Sequence, residues 1–273
     1  MRVGRIPWIN CYPVYGAIDR GLVSLPAELV SGTASELNEL LAAGALQVSA
    51  VSAVEYARNA AMYHLLPDLA ITCDGPVHSV ALFSKRPVED LTGCTVLLSA
   101  SSRTSVLLLE LFCRHRWGIH PQFATARAEA PDLTSLAALP HEAVLVIGDA
   151  ALHLSTQSVY PVRIDLGTEW KDWTGLPFVF AVWAARRDAP AAGVRAVHRR
   201  LLESRAWGLG HLDELAAAAA LNTGVAESVC RAYLGDLDYA LSYRHLAGLT
   251  DFFRRLAQEG MVPDGSLSFI SAA

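Results

Sequence analysis

The sequence predicts an α/β chain of two lobes, the second inserted into the first. Three observations carry this. Short apolar runs alternate with amphipathic stretches through the first 185 residues, the rhythm of strands and crossover helices in a largely parallel sheet. Two segments, Val80-Ala81-Leu82-Phe83-Ser84-Lys85-Arg86 and Phe180-Ala181-Val182-Trp183-Ala184-Ala185-Arg186, are alike, each an apolar strand ending in basic residues. After Arg187 the pattern becomes helical. The economical layout puts residues 1–82 and 181–273 in a discontinuous first lobe with a helical C-terminal part. Residues 83–180 form the inserted second lobe, the two similar strands are the crossovers, and a ligand cleft lies between the lobes.

The elements follow in order. Val3 to Ile6 reads as a strand and Pro13 to Arg20 as a helix stopped by Gly21. Glu28 to Ser31 is strand-like. Thr33-Ala34-Ser35-Glu36 is a capping box, with Leu37, Leu40 and Leu41 at helical spacing and Gly44 as its C-terminal glycine. Gln47 to Val51 is the next strand, and Ser52-Ala53-Val54-Glu55 a second capping box. Thr95 to Ser99 is a strand, Thr104 to Trp117 a helix closed by Gly118, and Ala143 to Ile147 a strand followed by Gly148-Asp149. Ala191 to Arg205, Leu212 to Leu221, Ala226 to Tyr233 and His245 to Gln258 read as helices.

Composition narrows the function. Hydrophobic residues make up 52% and charged residues 18% of 273, which excludes intrinsic disorder. The net charge of −5 and the lack of a basic stripe argue against a nucleic-acid partner. No apolar run reaches the roughly 18 residues of a membrane-spanning helix. The N-terminal residues lack the apolar core of a signal peptide, so a cytoplasmic location without membrane insertion is expected. The five scattered cysteines form no CxxC pair, so neither a zinc site nor a disulfide framework is indicated.

Several segments could carry chemistry. Ser99-Ala100-Ser101-Ser102-Arg103-Thr104-Ser105 follows a buried strand and opens a helix, where backbone N–H groups and the positive dipole end favour an anion. Its hydroxyls exceed what a helix cap needs, and with no Walker motif the expected anion is a carboxylate. Asn10 lies just after the first strand, where ligands of parallel sheets bind, although an Asn turn before Pro13 would look the same. His78 and Ser79 precede the first crossover strand. As neighbours on a strand they would point to opposite faces, so at most one lines a site. Ser52 and Asp149 each end a strand and either touch a ligand or cap the next helix; for Asp149, N-capping is the plainer role. Trp170, Trp173 and Phe178 could wall a pocket for a planar ring or simply pack. GxSxG, HExxH and GxGxxG are all absent, so catalysis would rest on placing a reactive small molecule.

Taken together, Ile9-Asn10-Cys11-Tyr12-Pro13, the run His78 to Ser84, Ser99 to Ser105 and Ile147 to Leu152 form a specific set. Asp165-Leu166-Gly167, Trp170 and Thr174 to Ala181 complete it. Over nearly its whole length the sequence resembles the menaquinone-biosynthesis chorismate dehydratases of the futalosine route. That family often carries threonine where this chain has Cys11. The resemblance implies a two-lobed fold like the type 2 periplasmic binding proteins. It also implies a hydro-lyase that converts chorismate to 3-[(1-carboxyvinyl)oxy]benzoate. The chemistry calls for no metal and no cofactor, with chorismate as the small-molecule partner; a homodimer is left open. On this reading Asn10 and Ser79 are the catalytic pair, and Ser52, Ser101, Ser102, Thr104, Ser105 and Asp149 bind substrate. Two alternatives stand beside it: a non-enzymatic binder of small anions, and the sister enzyme of the pathway that forms a dihydroxynaphthoate.

Overall fold

A computed structural model describes residues 1–99, 103–127, 133, 136 and 138–271. The chain divides into two compact units, Met1–Thr72 with Val179–Ala273, and Cys73–Phe178. Among the described residues the strands form two five-stranded sheets, and no helix is long and apolar enough to cross a membrane.

The sheet of the first unit contains β1 (Arg2–Arg5), β2 (Glu28–Ser31), β3 (Val48–Ser52), β4 (Tyr63–Cys73) and β10 (Phe178–Arg186), in the order β2-β1-β3-β10-β4. β1 runs parallel to β2 and β3, whereas β10 pairs antiparallel with β3 through Ala181↔Ser52 to Ala185↔Val48. Val3, Val48, Ala50, Val182 and Trp183 are buried here. Two of the buried polar side chains pair in series: Trp183 Nε1 donates to Tyr15 Oη at 3.1 Å, and Tyr15 Oη donates to the Gly4 carbonyl at 3.1 Å. Helices α1 (Tyr12–Asp19), α2 (Ala34–Ala42) and α3 (Ala53–Arg58) connect the early strands. The Thr33–Glu36 capping box of α2 is present in full. Ser52 caps α3, but Glu55 turns its carboxylate to Asn59 Nδ2 at 2.8 Å and leaves the second box half closed.

The second sheet contains β5 (Val80–Ser84), β6 (Thr95–Ser99), β7 (Gln122–Ala126), β8 (Ala143–Ile147) and β9 (Val162–Asp165), in the order β7-β6-β8-β5-β9. Its helices are α4 (Thr104–Leu111), α5 (Asp149–Ser155) and α6 (Leu166–Thr174). Ala81, Phe83, Leu97, Val144, Val146, Ala151 and Leu154 make one apolar cluster. α4 ends earlier than its apolar run suggests, because residues Phe112–Arg116 widen into a π-helical turn before Gly118 reverses the chain at φ 64°.

After Arg187 come α7 (Ala191–Leu209), α8 (Leu212–Thr223), α9 (Glu227–Asp236) and α10 (Tyr243–Gln258). α10 opens on a capping box of Ser242 with His245 and buries His245, Gly248, Leu249, Phe252 and Leu256, one stripe of an amphipathic helix. The C-terminal segment then lies along β4: Leu65 N–H donates to Ser268 and Ile270 N–H to Leu65. An edge strand of eleven residues is thereby kept from pairing with another chain.

Two expectations require correction. Val80–Ser84 is not a crossover strand but an interior strand of the second sheet, antiparallel to both neighbours. It resembles Phe178–Arg186 because both are interior and almost wholly buried, a burial signal that says nothing of connectivity. The unit boundaries accordingly fall at Thr72/Cys73 and Phe178/Val179, not at 82/83 and 180/181. Each sheet also carries a strand that runs against the parallel ones, β10 against β3 and β5 against β8 and β9.

Candidate functional site

In the second unit, register brings the predicted residues to one edge of the sheet. β6 and β8 are parallel and end there, at Ser99 and Ile147. β5 is antiparallel to β8 and begins there, with Val80 opposite Ile147. β9 ends there too, with Asp165 opposite Ala81. The same edge therefore carries Ser79, the start of α4 with Thr104 and Ser105, and Gly148-Asp149. Ser79, Ser99, Thr104 and Ser105 are all buried. Ser101 and Ser102 lie outside the described residues.

α4 starts without a side-chain cap from Arg103 and with no acidic residue in its first turn. Its positive end is thus not neutralised by a carboxylate of its own, and an anion is favoured there. At α5 the cap is Gly148, not Asp149. Gly148 sits at φ 65° and ψ −148°, a backbone conformation open to glycine, and Asp149 becomes the first helical residue.

The turn before β5 departs most from expectation. His78 and Ser79 lie in a loop, not on a strand, and His78 adopts φ 61°, rare for a side chain with a Cβ. Asp165, which the sequence reading left without a role, holds that loop. Its Oδ1 accepts from the N–H groups of Val77 (3.0 Å), Gly167 (3.0 Å) and Thr168 (3.1 Å), and its Oδ2 from His78 N–H at 2.7 Å. An Asp closing the apolar strand Val162–Asp165 is a readable helix cap; its second pair of donors, nearly ninety residues away, leaves no local signal.

In the first unit the C-terminal ends of β1 and β3 face the same way, and β10 starts beside them. Asn10 follows β1 in a single 3-10 turn, Ile9–Cys11, whose flanking residues are buried. Its Oδ1 is buried without a hydrogen-bond partner. A buried acceptor left open in this way is uncommon in folded proteins and calls for a donor. Ser52 ends β3 and accepts from Glu55 N–H at 3.2 Å, so it serves as the cap of α3.

Trp170 is fully buried, donates Nε1–H to the Pro177 carbonyl at 3.2 Å, and meets Trp173 and Phe178 edge to face. These rings pack the second unit; Trp170 is not available to stack on a ligand. Burial, reinforced by the Asp165 charge, pushes the Cys73 thiol far above its ordinary range, and burial pushes Cys113 up to about 12. Neither thiol is a nucleophile near neutral pH. Among the described residues no cluster of three His, Cys, Asp or Glu side chains could hold a metal ion. A groove of about 270 Å³ in the first unit, bounded by Tyr56, Phe253, Arg254 and Asp264, takes in none of the predicted residues.

Comparison with known proteins places this geometry. A family described as menaquinone biosynthesis matches residues 1–258. A Thermus thermophilus protein named chorismate dehydratase is 36% identical over 237 residues, 81% of this chain and 84% of that protein. A second protein of that organism, named 1,4-dihydroxy-6-naphtoate synthase, is 26% identical over 216 residues, 78% and 76% of the two chains. In fold, the chain is similar to the periplasmic aliphatic sulphonate binding protein of Escherichia coli. The TM-score is 0.66 at 16% identity, covering 97% of this chain and 94% of that one.

Proposed function

The chain belongs to the menaquinone-biosynthesis family, and on that premise we propose that it is a chorismate dehydratase, a hydro-lyase that releases water from chorismate and leaves 3-[(1-carboxyvinyl)oxy]benzoate. The observation that carries this reading is the agreement, over most of both chains, with the Thermus chorismate dehydratase. The naphthoate synthase of the same organism is the more distant relative, which sets the second reading behind the first.

The reaction asks little of a side-chain base. The proton leaves C3 of the ring, its electron pair forms the C3–C4 double bond, and the C4 hydroxyl departs as water. The ring becomes aromatic, so the step is strongly downhill. The enolpyruvyl carboxylate of the substrate is placed to take the C3 proton. The protein's task is then to hold two carboxylates and one hydroxyl in the reactive arrangement, which positioning alone can accelerate greatly.

The residues supply groups suited to that task. Thr104 and Ser105, opening α4 at its positive end, receive a substrate carboxylate. Asp149, at the end of β8, and Ser52, at the end of β3, are the further substrate-binding residues of this reading. In dianionic chorismate the C4 hydroxyl is the sole O–H donor, and the open Oδ1 of Asn10 is the acceptor suited to orient it. Ser79 donates its hydroxyl hydrogen to the departing oxygen or to a carboxylate. The reaction proceeds in the cytoplasm, with no cofactor.

Incubation of the purified protein with chorismate, followed by absorbance and mass analysis, tests the reading. Loss of chorismate with formation of an aromatic product lighter by one water supports it. Tight binding of chorismate without turnover would instead make the protein a binder of small anions.

A further inference from the structure

We propose that Asp165 is a positioning residue for the dehydration, acting through the turn that presents Ser79. The inference rests on the reading of Ser79 as a group that touches substrate. Its structural basis lies wholly within the second unit.

An ionised carboxylate offers about four acceptor sites. In Asp165 four backbone N–H groups use them, and they divide into two pairs. Gly167 and Thr168 belong to the first turn of α6, where Asp165 is the N-cap. Val77 and His78 belong to the turn before β5. A helix cap needs only the first pair. The second pair ties the Ser79 loop to the end of β9.

The tie is complete along the backbone. Val77 and His78 give their N–H groups to Asp165. Ser79 N–H donates to the Val77 carbonyl at 2.6 Å, Arg163 donates to the His78 carbonyl at 2.8 Å, and Gly148 N–H donates to the Ser79 carbonyl at 2.7 Å. Every backbone N–H and C=O of residues 77–79 is thus engaged, and the left-handed conformation of His78 is held from both sides. A residue at a costly backbone angle persists only where its surroundings over-determine it. Here the over-determined residue immediately precedes the proposed donor. Gly167 permits the approach, because a Cβ there would meet the Gly75 carbonyl oxygen at 2.5 Å and Cys73 Sγ at 2.7 Å.

The His78 bond, the one that uses Oδ2, can be separated from the cap by mutation. Asparagine caps a helix about as well as aspartate. Asp165→Asn therefore keeps the cap of α6, its Oδ1 still accepting from Gly167, Thr168 and Val77, while its amide NH₂, in the place of Oδ2, faces His78 N–H. The expected result is near-native melting, a fall in kcat of about tenfold or more, and a KM changed by less than about threefold. In a Ser79→Ala background the same substitution should cost less than about threefold, because the two residues act as one unit. Hydrogen exchange at the His78 amide should quicken in Asp165→Asn whatever the substrate is. Should that variant fail to fold, Asp165→Ser, which also caps, takes its place with the same expected results. Unchanged kcat, or losses that multiply in the double variant, would overturn the proposal. If the wild-type protein does not act on chorismate, the dehydratase reading falls by itself. Asp165 is then judged on amide exchange, and unaltered protection of His78 overturns its role.

Discussion

The two sheet edges that carry the predicted residues solve the problem of presenting polar groups in different ways. In the second unit the Ser79 turn is saturated: its backbone is fully hydrogen-bonded, and one carboxylate, Asp165, collects four N–H groups. In the first unit Asn10 stands on a single 3-10 turn with its side-chain oxygen buried and unpaired. One edge fixes the backbone before its hydroxyl; the other leaves an acceptor unpaired. The difference teaches where to expect stability effects and where to expect catalytic ones. On the proposed reading, loosening the saturated edge should lower both stability and turnover, whereas deleting the open acceptor should lower turnover without lowering stability.

The sharpest way to break this comparison is to remove one side chain from each edge. Asn10→Ala and Ser79→Ala should each lower turnover of chorismate by at least about tenfold, and up to about 100-fold, because orientation and a single well-placed donor contribute on that scale. The melts should differ from the kinetics. Asn10→Ala removes an unpaired buried polar group and should keep or raise Tm, since such a group destabilises the fold. A Tm that falls markedly would mean that Asn10 is structural. Steady-state kinetics beside calorimetry decides this.

The next effect concerns binding at the second edge. Thr104→Pro deletes one backbone donor at the first position of α4; because Arg103 before it is helical in conformation, which a following proline disfavours, a thermal melt accompanies the measurement. A hydrogen bond to a charged group contributes about 1.5–3 kcal/mol, so affinity for chorismate or an unreactive dicarboxylate analogue should fall about tenfold or more. Titration calorimetry giving wild-type affinity would remove the carboxylate from this turn.

A smaller effect, on stability, comes from the contact that lets α6 approach the turn. Gly167→Ala forces a Cβ against the Gly75 carbonyl, and overpacking of this kind costs about 1–3 kcal/mol. At about 2–4 °C per kcal/mol for a chain near this size, Tm should drop by several degrees. An unchanged Tm would show that the turn is looser than its hydrogen bonds indicate.

The smallest expected effect is a pH dependence shared by both units. Burial holds His64 and His198 in the first unit, and His141 in the second, below the ordinary histidine pKa. The unfolded chain then binds protons that the folded chain refuses. Stability is therefore fully present above the unfolded value of about 6.5 and declines as pH falls below it towards the lowered folded values. Thermal melts between pH 7.5 and 5 should show this decline. His141→Gln should flatten the part that belongs to the second unit, where His141 Nδ1–H donates to the Leu139 carbonyl at 2.8 Å and Nε2 accepts from Tyr160 at 2.6 Å.

Much of the fold was legible because it is written locally. The Thr33–Glu36 capping box, the glycine stops at positions 21, 44 and 118, and the apolar runs 95–99 and 143–147 all rest on neighbouring residues. β7 escaped because Gln122–Ala126 is an exposed edge strand with no apolar run. β4 escaped because Pro67 and Asp68 interrupt it, and an edge strand tolerates both. Of the proposed site, the places of Ser79, Thr104 and Asn10 beside strand ends were legible. Asp165 was not, because its second role depends on a contact across 87 positions. The likeness of 80–86 to 180–186 misled for a related reason: burial on both faces gives similar sequences to strands of different connectivity.

The strand order also bears on how the chain is made. β10 lies between β3 and β4 in the first sheet, yet it is synthesised after every residue of the second unit. On the ribosome, the contiguous stretch Cys73–Phe178 can complete its own core while β3 and β4 still await the strand that separates them. During that interval β3 offers an unfilled edge of Val48, Ala50 and Val51, residues that are fully buried once folding is finished. Until Phe178–Arg186 emerges that edge is open to mispairing, and the second unit, though inserted, is the one whose chain is complete first.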